Sequence, residues 1–197
     1  MRAIEAASDA DGFTYSQMLE QAGRAAADRA LQHLQAIDEP RITILVGTGN
    51  NGGDGLVAGL FIAQDNPDED VRFYLLKDRD DTYIQTARDA GLFVALAEDD
   101  SDKRVLRNMV ASADLVLDAL FGIGVRLPIR DEAQRILRNT QRAINERRNA
   151  EPDTVNVTLD AIDQFPRAPK QTVLAIDVPS GLNADTGAVD SNTIAAD

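Results

Sequence analysis

Cysteine is absent from this chain of 197 residues, and His33 is its only histidine. Without a thiol there is no disulfide, no thiolate nucleophile and no cysteine-based metal site. One imidazole cannot build a histidine-rich metal centre. Lysine is scarce: only Lys77, Lys103 and Lys170 occur, and the rest of the positive charge is arginine. The formal net charge is −13, which should repel nucleic acid and anionic membranes. No apolar run approaches the ~20 residues that span a bilayer. The opening stretch "MRAIEAASDADG" lacks the apolar core of a signal peptide. The expectation is a soluble cytoplasmic protein with neither a nucleic-acid nor a membrane partner.

What is present suffices for one domain with a sizeable core, since 44% of the residues are hydrophobic. Thr14-Tyr15-Ser16-Gln17 has the spacing of a capping box and predicts a helix to about residue 34. Strands are predicted over 41–46, 71–76, 92–96, 114–120 and 172–177. Helices are predicted over 56–63, 82–90, 102–112 and 130–148. Residues 150–170 hold three prolines and little periodicity, and read as a long excursion. Strands separated by helices imply a Rossmann-like, doubly wound, mostly parallel sheet in an αβα three-layer sandwich. Ligands of such sheets sit beyond the carboxyl ends of the strands, near the point where strand order reverses. The three unusual loops, after Val46, Leu120 and Val178, all fall at that end.

The first loop, "VGTGNNGGDG", places five glycines in ten residues. Gly47, Gly49 and Gly52 match G-x-G-x-x-G between a strand and a helix, where glycine permits positive φ and lets backbone approach a phosphate. Asp54 is expected to cap the following helix. A dinucleotide site would usually close strand two with an acid; Leu75-Leu76-Lys77-Asp78 offers only Asp78, a weak candidate. There is no G-K-[ST], which excludes a P-loop. Asp118 lies within the apolar strand "DLVLDAL" and must find a cation or strong donors. Asp177 ends strand five in "AIDVPSG", where Ser180 offers a hydroxyl. Asn51, Asp118 and Ser180 thus supply an amide oxygen, a carboxylate and a hydroxyl at neighbouring strand ends. Such hard donors suit an alkali or alkaline-earth cation, and one carboxylate among neutral oxygens favours a single charge. Asp185-Thr186-Gly187 spells the aspartic-protease triplet, but a single copy in an α/β chain reads as a turn. His33 reads as a surface residue.

"GTGNNGGDG", "DALFGIG" and "AIDVPSGLNADTG", in this order, together with the opening "MRAIEAA…EQAGRAAADRAL", resemble the NAD(P)H-hydrate epimerase family, the YjeF N-terminal domain. The resemblance covers nearly the whole chain. It implies interconversion of the R and S forms of hydrated NADH and NADPH at C6 of the nicotinamide ring. It also implies hand-over of the S form to a fused or separate ADP- or ATP-dependent dehydratase, and it is compatible with a homodimer. Carried over by motif, Asn50, Asn51, Gly52, Gly53 and Asp54 would bind the hydrated nucleotide. So would Gly122, Ile123, Gly124, Val125, Arg126, Leu127 and Pro128. Asp177 would contact the reacting ring, and Asn51, Asp118 and Ser180 would coordinate potassium (K+).

Asp177 is the expected acid/base group, because no cysteine or well-placed histidine competes. Asp118 is the weaker choice, since a cation would keep it ionised. Departures exist. The family often has Lys-x-x-Gly-Asp-Ala where this chain has Thr82-Tyr83-Ile84-Gln85-Thr86-Ala87, and the 150–170 segment is long. The family normally continues past the point where "AVDSNTIAAD" stops. A single domain over 1–197 lacking its last strands is therefore expected, with any dehydratase domain outside this chain. The alternative is a catalytically silent nucleotide-binding or scaffold module on the same fold. A nicotinamide dehydrogenase is disfavoured, because no His, Cys or Lys–Tyr pair is placed for hydride-transfer chemistry.

Overall fold

The computed structural model describes residues 14–149 and 170–197. The excursion predicted over 150–170 lies outside the described residues apart from Lys170. The first helix, α1 (Tyr15–Leu34), starts at a complete capping box. Thr14 Oγ1 accepts from Gln17 N at 3.3 Å, and Gln17 Oε1 accepts from Thr14 N at 2.8 Å. The elements that follow are β1 (Arg41–Val46), α2 (Asn50–Asp65), β2 (Asp70–Leu75), α3 (Thr82–Asp89) and β3 (Phe93–Leu96). The series closes with α4 (Arg104–Ser112), β4 (Leu115–Ala119), α5 (Asp131–Asn149) and β5 (Thr172–Ala175). No helix among the described residues is long and apolar enough to cross a membrane.

The five strands form one sheet in the order β3-β2-β1-β4-β5, and every pairing is parallel. β1 is central and wholly apolar apart from Thr43 and the exposed Arg41, as a strand covered on both faces must be. Alternation divides its side chains between two cores. Ile42, Ile44 and Val46 pack with Phe73, Leu115 and Leu117 beneath α1, α2 and α3. Leu45 packs with Tyr74, Val116 and Val173 beneath α4 and α5. Helices therefore cover both faces, and the predicted three-layer, doubly wound fold is the one observed. The strand order reverses between β1 and β4, which puts the loops after β1 and β4 side by side at the carboxyl edge.

The largest departure from the sequence reading concerns α2. It begins at Asn50, not at residue 56, so three of the five glycines lie inside the helix. Its N-cap is Gly49, which has no side chain to cap with. Asp54 sits a full turn into the helix and does not cap it, contrary to expectation. Strand β5 is shorter than predicted because the chain turns at Asp177, whose φ is +65°.

Candidate functional site

The glycine turn is built for close approach. A Cβ on Gly47 would stand 1.8 Å from the carbonyl oxygen of Leu120, and one on Gly52 would stand 2.1 Å from that of Gly47. Any side chain here would drive β1's turn off β4 or the first turn of α2 off the strand. The expected positive φ is not the reason for these glycines: the left-handed ones among the described residues are Gly91, Gly181 and Gly187. The structure thus presses α2, amino end first, against the sheet edge. Asn51, Gly52 and Gly53 are buried there, while Asn50 is exposed.

Asp118 is wholly buried in β4. Ser180 Oγ donates to its Oδ1 at 2.6 Å and Ser180 N donates to its Oδ2 at 2.8 Å. Leu120 N approaches Oδ1 at 3.3 Å. Burial pushes the Asp118 carboxyl above its ordinary range, and the bonds from Ser180 pull the other way. No ion pair among the described residues reaches Asp118. Beyond the end of the adjacent strand β1, the buried Asn51 amide has neither Oδ1 nor Nδ2 hydrogen-bonded. A buried carboxylate without a counter-charge and an idle amide oxygen fit a cation of the kind the donor set suggests. Among the described residues no group of three or more His, Cys, Asp or Glu side chains could hold a metal ion.

Asp177 leaves β5 in the left-handed region, an unusual backbone state for a residue with a side chain. Its exposed carboxylate turns back across the edge, and Oδ2 accepts from Ile123 N at 2.8 Å. A Cβ on Gly122 would stand 2.5 Å from that Oδ2 and 3.5 Å from Asn51 Cγ. Gly122 is the gap into which Asp177 and Asn51 both reach. Asp177 is therefore not closing a local Asx turn; it bridges two loops.

The loop after β4 is held at two further points. Ser180 Oγ accepts from Phe121 N at 2.9 Å, and Asp190 Oδ2 accepts from Ile129 N at 2.9 Å. Between them Gly124, Arg126 and Pro128 are exposed, and Ile123 is 37% exposed. Val125 and Leu127 pack against the core under α4 and α5. The chain thus presents an outward-facing rim, charged only at Arg126, above an apolar foot.

Three residues that hold backbone groups in place escaped the sequence reading. Arg79, after β2, donates from Nη1 to Gly47 O at 2.8 Å and Gly49 O at 3.2 Å, locking the glycine turn. Asp190 anchors Ile129. Its carboxyl lies below the ordinary range chiefly because Asn192 N bonds to it, with burial opposing. Lys103 is buried with a φ of +55°. Its ammonium bonds the carbonyls of Ala97 and Asp100 and pairs with Glu132 Oε1 at 2.5 Å at the start of α5. A lysine within "AEDDSDKR" carried no signal of burial. Asp185-Thr186-Gly187 is a turn closed by Asn183 Oδ1, and His33 is exposed, both as expected. A groove of about 680 Å³ lined by Arg72, Phe93 and Met109 lies toward the amino ends of β2 and β3, and no predicted site residue lines it.

A parallel sheet with a glycine-packed helix at its switch point and three interlocked loops at its carboxyl edge defines a Rossmann-like α/β domain. More narrowly, the chain belongs to the YjeF-related protein N-terminus family, whose family model matches residues 15–197. It is 29% identical over 195 residues to the NAD(P)H-hydrate epimerase of Levilactobacillus brevis, covering 97% of this chain and 74% of that one. It is 28% identical over 205 residues to the bifunctional NAD(P)H-hydrate repair enzyme Nnr of Thermosynechococcus vestitus, covering all of this chain and 32% of that one. The crystal structure of the yeast protein ynu0 (YNL200c) superimposes with a TM-score of 0.68 at 19% identity, over 93% of this chain and 68% of that one. That likeness bears on the fold alone.

Proposed function

We propose that this chain interconverts the R and S epimers of hydrated NADH and NADPH at C6 of the nicotinamide ring. The observation that carries the reading is the meeting of Asp177 and Asn51 over Gly122. An exposed carboxylate held on a left-handed backbone stands beside an unpartnered amide, at the strand ends where this fold takes ligands. The names of the relatives, NAD(P)H-hydrate epimerase and NAD(P)H-hydrate repair enzyme, support the same activity.

In the reaction, the lone pair of N1 forms a double bond to C6 as the C6–O bond breaks. The departing oxygen takes a proton and leaves as water. Water then adds to the other face of the iminium carbon and loses a proton, so no electrons leave the molecule. Asp177 would give the proton to the departing oxygen and accept it from the returning water. Asn50 to Asp54 and Gly122 to Pro128 would hold the nucleotide. Asn51, Asp118 and Ser180 would hold potassium, which supplies fixed positive charge beside an anionic ligand in an acidic protein. The S epimer would pass to an ADP- or ATP-dependent dehydratase on the same or another chain. The test is to supply the separated epimers to purified protein and follow their ratio by chromatography. Equilibration from either side supports the enzyme; binding without interconversion would make the chain a silent nucleotide-binding module.

A further inference from the structure

The end of β2 carries cations that no step above uses. Lys77 is the first exposed residue after the strand, and no ion pair among the described residues reaches it. Arg79 lies across the glycine turn through Nη1, and Asp81 Oδ2 holds its Nε at 2.7 Å. Its Nη2 makes no hydrogen bond among the described residues and lies 3.8 Å from where a Cβ on Gly53 would sit. Most of the neighbouring acids are engaged: Asp78 pairs with Arg88 at 2.8 Å, and Asp81 caps α3 through Ile84 N. Asp80 is the exposed exception.

Sheet order gives these residues a place on the ligand. Asp177 follows β5, on one side of β1; β2 lies on the other. A dinucleotide with its hydrated ring at Asp177 and its diphosphate at the glycine turn has its adenosine ribose over the end of β2. An acid closing that strand would take the ribose 2′-hydroxyl. Here the closing residues are the buried, apolar Leu75 and Leu76, followed by a lysine. A 2′-phosphate adds a charge of about −1.5 to −2 at neutral pH and needs a cation there, most of all in a chain of net charge −13.

We infer that the site prefers the 2′-phosphorylated ligand, hydrated NADPH over hydrated NADH, with Lys77 and Arg79 as its specificity-determining residues. The inference rests on the hydrate reading above, so the test has two arms. In the first, kcat/KM is measured for both hydrates. Wild type should favour the NADPH hydrate by about tenfold or more, the range of a charge-assisted contact. Lys77→Ala should remove most of that margin while leaving the NADH hydrate unchanged.

In the second arm, 2′,5′-ADP and 5′-AMP are titrated calorimetrically into the full chain. Wild type should bind 2′,5′-ADP more tightly, and Lys77→Ala should narrow the gap. Arg79→Met should weaken both ligands, 2′,5′-ADP more; equal losses would overturn the part given to Arg79. Epimerisation with equal efficiency on both hydrates would uphold the enzyme and overturn the preference. Tighter, Lys77-dependent binding of 2′,5′-ADP without epimerisation would uphold the preference and sink the enzyme.

Discussion

Ser180 and Asp118 share two hydrogen bonds, Oγ to Oδ1 at 2.6 Å and N to Oδ2 at 2.8 Å. They join β4 to the loop after β5. The pair fixes where the carboxylate points, yet it supplies no positive charge. A buried anion held only by neutral donors is a site that a cation would stabilise.

Potassium should therefore raise the melting temperature of the wild-type protein, compared with choline chloride at equal ionic strength. A tenfold excess over Kd is worth about 1.4 kcal/mol. Burial raises the folded-state pKa of Asp118. Folding stability thus falls as pH rises from the unfolded carboxyl value through the folded one, and levels off above it. The potassium effect should then be larger at pH 7 than at pH 4, because the cation answers the ionised form. Asp118→Asn should abolish it with secondary structure intact, and chelators of divalent ions should change nothing. A mutant with full activity and the same potassium response would remove Asp118 from the cation site.

Asp177→Asn should lower kcat by about 10²–10⁴-fold, the usual cost of losing a general acid/base, while the hydrate still binds. The amide oxygen can go on accepting from Ile123 N, so the loop keeps its anchor. Turnover at the wild-type rate, or outright loss of binding, would place the proton-transfer group elsewhere.

Gly47→Ala tests close packing against backbone freedom. Its Cβ would stand 1.8 Å from Leu120 O, and a backbone atom cannot rotate away. Overpacking of this kind costs about 1–3 kcal/mol or more. The variant should melt lower and bind nucleotide weakly, as read by calorimetry. Unchanged melting and affinity would mean that the edge yields more easily than its geometry implies.

Asp190→Ala should cost about 1–3 kcal/mol, the penalty of leaving the buried Ile129 N without its acceptor. It should raise KM more than it lowers kcat, since the loop end shifts while Asp177 stays. The depressed pKa of Asp190 contributes stability above the unfolded carboxyl value that is lost as pH falls through the folded one. Wild type should therefore lose more melting temperature than Asp190→Asn between about pH 5 and pH 3. Parallel acid profiles would show that Asp190 contributes nothing to acid stability.

The fold was largely legible because a buried parallel sheet writes itself as short apolar runs such as "ITILV" and "LVLDAL", separated by amphipathic segments. The capping box at Thr14 was legible because it is a local code. The start of α2 was not. Glycine reads as a loop former, and only the nearness of Leu120 and Ala119, far along the chain, shows why a helix would begin with it. For the same reason Asp54 was misplaced as a cap. Asp118 and Asp177 stood out as carboxylates where the pattern wanted apolar residues or a simple strand end, and the structure gives both long-range partners. Arg79, Lys103 and Asp190 lie in charged or polar stretches that look like solvated loops. Each acts on a backbone group some distance away, through the carbonyls of Gly47 and Ala97 or the amide of Ile129, and a one-dimensional pattern cannot show such a bond.

The amides of Phe121, Ile123 and Ile129 all end on side chains of one other segment, on Ser180, Asp177 and Asp190. None of these bonds belongs to a helix or a strand. The segment carrying the acceptors has to lift before any of the three amides meets solvent. In deuterium-exchange measurements they should behave as one cooperative unit with a shared opening free energy, while the exposed amide of Gly124 between them exchanges freely. The floor of the candidate site is in this sense a small foldon stitched from two loops.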